Sequence, residues 1–433
     1  MRRPTLVLSV AVASCFLLQL VSSTESRGDD LFGGFAEELF QPFSSFLQEP
    51  NEDDPDKTDP KAEGSPSDKP PTRTTSRRSR TTRDRAEMIK RAEAMRLASV
   101  SPMWGDFLGG LPFGTIVIGG GDGLTLGAGS AFPLTEGAAI AVRRIKLAEN
   151  NSPIPMDRWI FGHNFFNDVT SIGDLNRYVF GLEKTYDDGL GSFEIRFPFV
   201  SGLDNDQSVN DTFDALTGDR ATEFGDISLT WKRIVGVGDD FVATAGVGLR
   251  IPTGTDSSIS NSLGEEIFRI EHDSVHLAPF AAILVKPDDK WFWQAFLQFD
   301  IVAGGNPITE QTGPLERTTR GILQDANLVF FDVGVGHKWI EDRDGFVKAI
   351  TPMLELHYSS TTNDTDTANL SFGTDDFNLV GQSRRFDILN LTVAAALKLN
   401  DRITVRPAMS FPLREGDDRL YDFEAGVQVN ILR

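Results

Sequence analysis

Arginine and carboxylate side chains recur at every second position of otherwise apolar stretches in this chain of 433 residues. Arg177, Glu183, Glu194, Arg196, Lys232, Arg250, Gln298, Asp300, Glu355, Arg406, Asp422 and Glu424 all fall on the polar side of such alternations. Charges of both signs on one face of a sheet have two uses. They line a passage for polar solutes, or they pair into a ladder that closes it. The spacing alone leaves both open.

Other residues with chemical capacity give less. His272 and His276 stand four apart in EHDSVH, a spacing that holds zinc on a helix. Here they flank a loop-to-strand junction with no third ligand nearby in sequence, so no metal is assigned. His163, His337 and His357 are isolated. No serine is singled out as a nucleophile, and no enzyme is expected. The GGGDG at 119–123 lacks the helix and the Lys-Ser/Thr pair of a phosphate loop. It reads as a glycine-rich turn, and no cofactor is expected. The acidic runs 204–214 and 361–367 either collect divalent cations or are solvated loops. They lack the spaced ligands and glycine of a dedicated calcium loop.

The elements that carry the charged set are strands. In 227–232, Ile227, Leu229 and Trp231 alternate with Ser228, Thr230 and Lys232. In 241–251, Phe241, Ala243, Ala245, Val247, Leu249 and Ile251 alternate with Thr244, Arg250 and small residues. Phe193, Ile195 and Phe197 oppose Ser192, Glu194 and Arg196, and Phe423, Val427 and Val429 oppose Glu424, Gln428 and Asn430. Side chains leave a strand on opposite faces in turn. A soluble sandwich would bury the apolar set. Two features favour the inverse, with Phe193, Ile195, Phe197, Trp231, Val247, Leu249, Phe423, Val427 and Val429 facing lipid. The polar face is dense in small residues such as Gly246, Gly248, Gly334, Gly336 and Gly426. The connections also alternate short and long from residue 187 onward, as in an outer-membrane barrel with short turns on its periplasmic rim. Thirteen periodic segments run from 139 to the end. The segment 139–148 lies outside the wall, giving an all-β, antiparallel up-and-down transmembrane barrel of 12 strands, or part of 113–132 joins it, giving 14.

The start of the chain is different. Residues 1–23 carry two arginines, an apolar run and small residues, the pattern of a signal peptide. An alternative cleavage would leave a lipidated Cys15. Residues 24–48 suit a short amphipathic helix, 49–82 a disordered charged linker, 83–98 a helix, and 99–138 a glycine-rich segment, periplasmic or serving as a plug, ahead of the barrel at 139–433. Net charge is −21, from 63 acidic against 42 basic residues, which excludes a nucleic-acid partner. No stretch after the leader reaches the ~18–20 apolar residues of a spanning helix.

GDISLTWK, a short turn and FVATAGVGLRIPTG, with Gly225-Asp226 and Pro252-Thr253-Gly254 at the ends, resemble the signature hairpin of a bacterial outer-membrane family. That family is labelled as phenol-degradation-pathway outer-membrane proteins, or simply as transporters. The stretch 143–169 resembles related secreted barrels, and the resemblance is clearest over 140–255. Two features depart from the pattern: the chain ends Ile431-Leu432-Arg433 without a terminal aromatic, and tyrosines are few, at 4. The resemblance implies an outer-membrane location in a Gram-negative-type envelope and passage of small solutes, apolar or aromatic ones included, through a polar lumen. The alternatives are a structural barrel that anchors the envelope without transport, and a lipid-active hydrolase of the outer membrane. The expected partners are outer-membrane lipid, a small solute and divalent cations at the acidic loops. Oligomeric state is not legible.

Overall fold

The computed structural model describes residues 75–97, 101–106, 115–119, 131–133, 144–169, 173–201, 208–210, 213–215, 222–261, 266–312, 316–342, 345–363, 367–372, 375–380 and 387–433. The expected signal peptide, the amphipathic helix at 24–48 and linker residues 49–74 lie outside them.

Twelve strands build a wall. They are β1 (Arg158–Val169), β2 (Gly173–Tyr186), β3 (Gly191–Ser201), β4 (Ile227–Val237), β5 (Phe241–Ile251), β6 (Val275–Val285), β7 (Trp291–Ala303), β8 (Leu328–His337), β9 (Ala349–Thr361), β10 (Asp387–Lys398), β11 (Ile403–Pro412) and β12 (Phe423–Leu432). Each pairs antiparallel with its neighbours in chain order, and β12 pairs with β1 from Phe423↔Asn167 to Leu432↔Arg158. The sheet therefore closes on itself and leaves no wall edge unpaired. The wall strands fall on the twelve periodic segments from 157 onward, shifted by a few residues at their ends. Short strands at Thr222–Phe224 and Ile340–Glu341 extend the wall locally.

Burial follows the two-residue period. In β5 and β8 buried and half-buried residues alternate along the whole strand. The outward set is apolar, and the inward set holds the charged, polar and small residues together with larger apolar ones such as Phe280, Phe296 and Phe330. Gly246 shows why small residues are needed inside: a Cβ there would lie 2.2 Å from the Trp231 carbonyl oxygen and 2.5 Å from the Phe280 ring.

The two rims differ. One carries the short turns at 187–190, 238–240, 286–290, 338–348 and 399–402. On the other, the long connections are not plain loops. Six short strands from three of them form a second sheet in the order Arg317–Leu323, Asn306–Gln311, Glu266–Ile270, Ser257–Asn261, Phe213–Ala215, Ser208–Asn210. A four-stranded sheet joins Thr367–Phe372 and Asp375–Val380, from the β9–β10 connection, to Thr115–Gly119 and Ala131–Pro133. Thr115–Gly119 thus pairs with a long-loop strand and not with the wall.

Helix α1 (Thr75–Leu97) begins inside the stretch expected to be linker. It sits at the short-turn rim. Arg85 pairs with Asp187 and Asp188, at 2.7 and 2.8 Å, and Arg96 donates to the Gly189 carbonyl at 2.8 Å. Ala92 and Met95 are buried in a cluster with Leu190, Ile234, Val242 and Leu284. Residues 144–157 form no wall strand. Pro153 and Pro155, which have no N–H to give a ladder, break any strand there.

Candidate functional site

The lumen is filled by the chain's own residues. Ser101–Asp106 and 144–155 are buried inside the barrel, joined to each other by Met103 N–H to the Asn151 carbonyl at 2.7 Å and Asn150 N–H to the Trp104 carbonyl at 3.1 Å. Their polar main chain cannot meet water there, so the wall must satisfy it. Inward side chains of the wall do so, strand by strand.

Glu355 on β9 accepts the N–H groups of Trp104 and Gly105 at 2.8 and 2.9 Å. Arg406 on β11 donates to the Pro102 carbonyl at 2.5 Å, and Gln428 on β12 to the Trp104 carbonyl at 2.8 Å. Lys232 on β4 donates to the Asn151 amide oxygen and the Ser152 carbonyl at 2.7 and 2.9 Å. Gln298 on β7 accepts Leu147 N–H at 2.7 Å. Arg177 on β2 pairs with Glu149 at 2.5 Å, and Arg196 on β3 donates to the Glu149 carbonyl at 2.6 Å. These buried charges are also tied to one another. Glu183 takes Arg158 at 2.7 Å and Lys232 at 2.9 Å, and Glu194 takes Arg196 at 2.7 Å. Glu424 accepts the Asn164 amide at 2.6 Å.

Of the twelve charged or polar residues singled out from sequence, eleven are buried within the barrel. Asp422 is placed elsewhere. It precedes β12, is exposed at the rim, and pairs with Arg419. Arg250 is buried but differs from the rest: none of its three guanidinium nitrogens has a hydrogen-bond partner. The nearby carboxylates are held by histidines instead, Asp226 by His272 and Asp300 by His276, each at 2.7 Å. His272 and His276 therefore serve two different carboxylates, and His163 bonds Asn176 at 3.0 Å.

A second centre joins both internal segments to the wall. The Lys146 ammonium lies 2.8 Å from Asp106 and 2.6 Å from Asp332, and His357 lies 2.8 Å from Asp332 and 3.2 Å from Glu355. Asp106, Asp332 and His357 come close enough to share a cation. The Lys146 ammonium already supplies positive charge there. Sequence reading missed Trp104, Asp106, Lys146, Glu149 and Asn150. For Lys146, Glu149 and Asn150 the signal was charge without alternation in RRIKLAENN, followed by prolines.

Outside the wall the surface is apolar. Phe193 is 59% exposed, Val393 52%, Leu354 47% and Phe180 45%. Ile195, Phe197, Trp231, Val247, Leu249, Phe423, Val427 and Val429 are half-buried on the same outer face, flanked by neighbouring strands. The acidic runs 204–214 and 361–367 lie largely outside the described residues.

No protein-family model matches the chain. No curated protein matches it either. Solved structures do. An outer-membrane channel from Pseudomonas putida F1 is 14% identical, with a TM-score of 0.38 over 65% of this chain and 97% of that one. The toluene transporter TodX of Pseudomonas putida is 12% identical, with a TM-score of 0.35 over 64% and 87%. The NanC porin is 9% identical, with a TM-score of 0.35 over 63% and 98%. The match is one of barrel to barrel and adds nothing to what strand pairing establishes.

Proposed function

We propose that the chain is an outer-membrane β-barrel that passes small solutes along its polar lumen, and that Ser101–Asp106 and 144–155 close the passage in the conformation described. The supporting observation is the inverted sidedness of the wall. Aromatic and aliphatic side chains stand exposed around the outside while arginines and carboxylates are buried within. Water would not tolerate so continuous an apolar belt, and hydrocarbon tolerates a sheet only when it closes on itself. No described helix is long and apolar enough to span a bilayer, so the wall is the element that would do so.

Passage then requires the internal segments to shift. Their ties to the wall at Lys146–Asp332 and Arg177–Glu149 are the ones to loosen. Planar-bilayer recording of the wild type and of a Lys146→Met/Glu149→Gln variant tests this. The expected result is discrete openings, more frequent in the variant. Silence in both, with folded barrels confirmed by their heat-sensitive gel mobility, overturns the reading in favour of a structural barrel, which the filled lumen would suit.

A further inference from the structure

A cavity of about 790 Å³ opens at the short-turn end of the barrel, inside the size range of small-molecule sites. Ser101 and Pro102 of the first internal segment, and Met156 just beyond the second, form part of its lining. Its charge is out of keeping with the rest of the chain. The protein carries a formal −21. Yet six basic side chains line this cavity, Arg96, Arg158, Lys338, Lys348, Lys398 and Arg433, against three acidic ones, Asp157, Glu341 and Asp401.

Some of these charges pair with residues that do not line the cavity. Arg158 is neutralised by Glu183 and Glu194 behind the cavity wall. Asp157 is engaged by Lys184 at 3.0 Å and by the Thr185 N–H and hydroxyl at 2.9 and 2.8 Å. Asp401 lies 3.5 Å from Lys348 and 3.6 Å from Lys398, and its carboxylate is 80% exposed. Arg96 donates to main-chain carbonyls, those of Pro155 and Gly189. Burial, and then the neighbouring charge of Lys286, push Lys338 below the usual lysine value. Glu341 is exposed at the rim.

We infer that this vestibule binds a small organic anion, a di- or tricarboxylate in size and charge, between Arg96 of α1 and the lysines that follow β8, precede β9 and end β10. Lysines act here as point charges on flexible stems, so they fit carboxylates of varied shape and not one rigid geometry. The inference rests on the channel reading for its meaning, as the solute class met at this mouth, but the binding itself does not need an open lumen.

Isothermal titration calorimetry of the detergent-solubilised full chain with succinate tests it, with putrescine as the cationic control. The expected result is saturable succinate heat that weakens as salt is raised, and none from putrescine. Lys338→Gln/Lys348→Gln/Lys398→Gln should weaken succinate binding at least fivefold, while the charge-keeping Lys→Arg variant at the same three positions retains it. Absence of succinate binding to folded wild type, equal binding of putrescine, or a loss smaller than fivefold in the Gln variant overturns the proposal. Binding that persists in a protein silent in bilayers keeps the site and removes the channel.

Discussion

Two buried arginines show how much partners matter at the scale of a residue. Arg158 and Arg250 are both fully buried and both point into the lumen. Arg158 is held by Glu183, Glu194 and the Asn150 carbonyl. Removing it would break five hydrogen bonds at once and take one of two cations from each carboxylate, Glu183 keeping Lys232 and Glu194 keeping Arg196, and loss of one partner from a buried pair costs about 3–5 kcal/mol. Arg250 makes no hydrogen bond, and its neighbours Asp226 and Asp300 keep their histidines if it is lost. Arg158→Met is therefore expected to destabilise the barrel by about 3–5 kcal/mol. Arg250→Met removes a buried guanidinium that has no hydrogen-bond partner, so it is expected to leave stability unchanged or raise it by about 1–3 kcal/mol. Urea unfolding in phospholipid vesicles measures both, and equal losses would show that the hydrogen bonds do not set the difference. The charged set was legible in the sequence because strand period two puts it on one face. Which members pair was not, since Arg158 and Glu183 lie on different strands and meet only through the register of β1 with β2.

Among elements, α1 is the one whose position depends on solvent conditions. Its Arg85 reaches Asp187 and Asp188 in the turn between β2 and β3, and Arg233 adds a second cation to Asp187 at 2.6 Å. The hydrogen bond from Arg85 first, then the charge of Arg233, hold the Asp187 carboxyl below the usual aspartate value. A carboxyl lowered on folding contributes stability in full above its unfolded value, near 3.9, and loses it as pH falls through the lower folded value. Docking of α1 through this turn should thus be unchanged between pH 7 and 5 and loosen only below about pH 3.9. Hydrogen exchange over 83–97, corrected for the intrinsic rate at each pH, reads this. Loosening that begins near neutrality would place the controlling group elsewhere. The sequence announced this helix by its run of strong helix formers, but not its place, because docking uses Ala92 and Met95 against Leu190 and Ile234, a hundred or so residues away in the sequence and with no periodic signature.

For the whole molecule, depth in the bilayer should govern the outer face. Val247 lies mid-strand on β5, opposite Trp231 and Pro279, and Ile251 ends the same strand at the long-loop rim. Both point outward. Val247→Arg is expected to cost about 2–4 kcal/mol and Ile251→Arg about 0–1 kcal/mol, the midplane and interface values for arginine on a barrel's lipid face. Equilibrium unfolding in vesicles compares them. If the two cost the same, the outer face is not graded by lipid depth and the membrane placement falls.

The sequence by itself determined the wall's antiparallel, up-and-down order, a count of twelve or fourteen strands, and the division of each into an oily and a charged face. That information is local, because successive side chains of a strand part to opposite sides whatever lies beyond. Only the tertiary structure decided what fills the barrel. Ser101–Asp106 and 144–155 show no period, since a segment enclosed on all sides meets wall residues in every direction. Whether a ring of charges lines a passage or seals one depends on what stands at its centre, and no spacing along a strand records that.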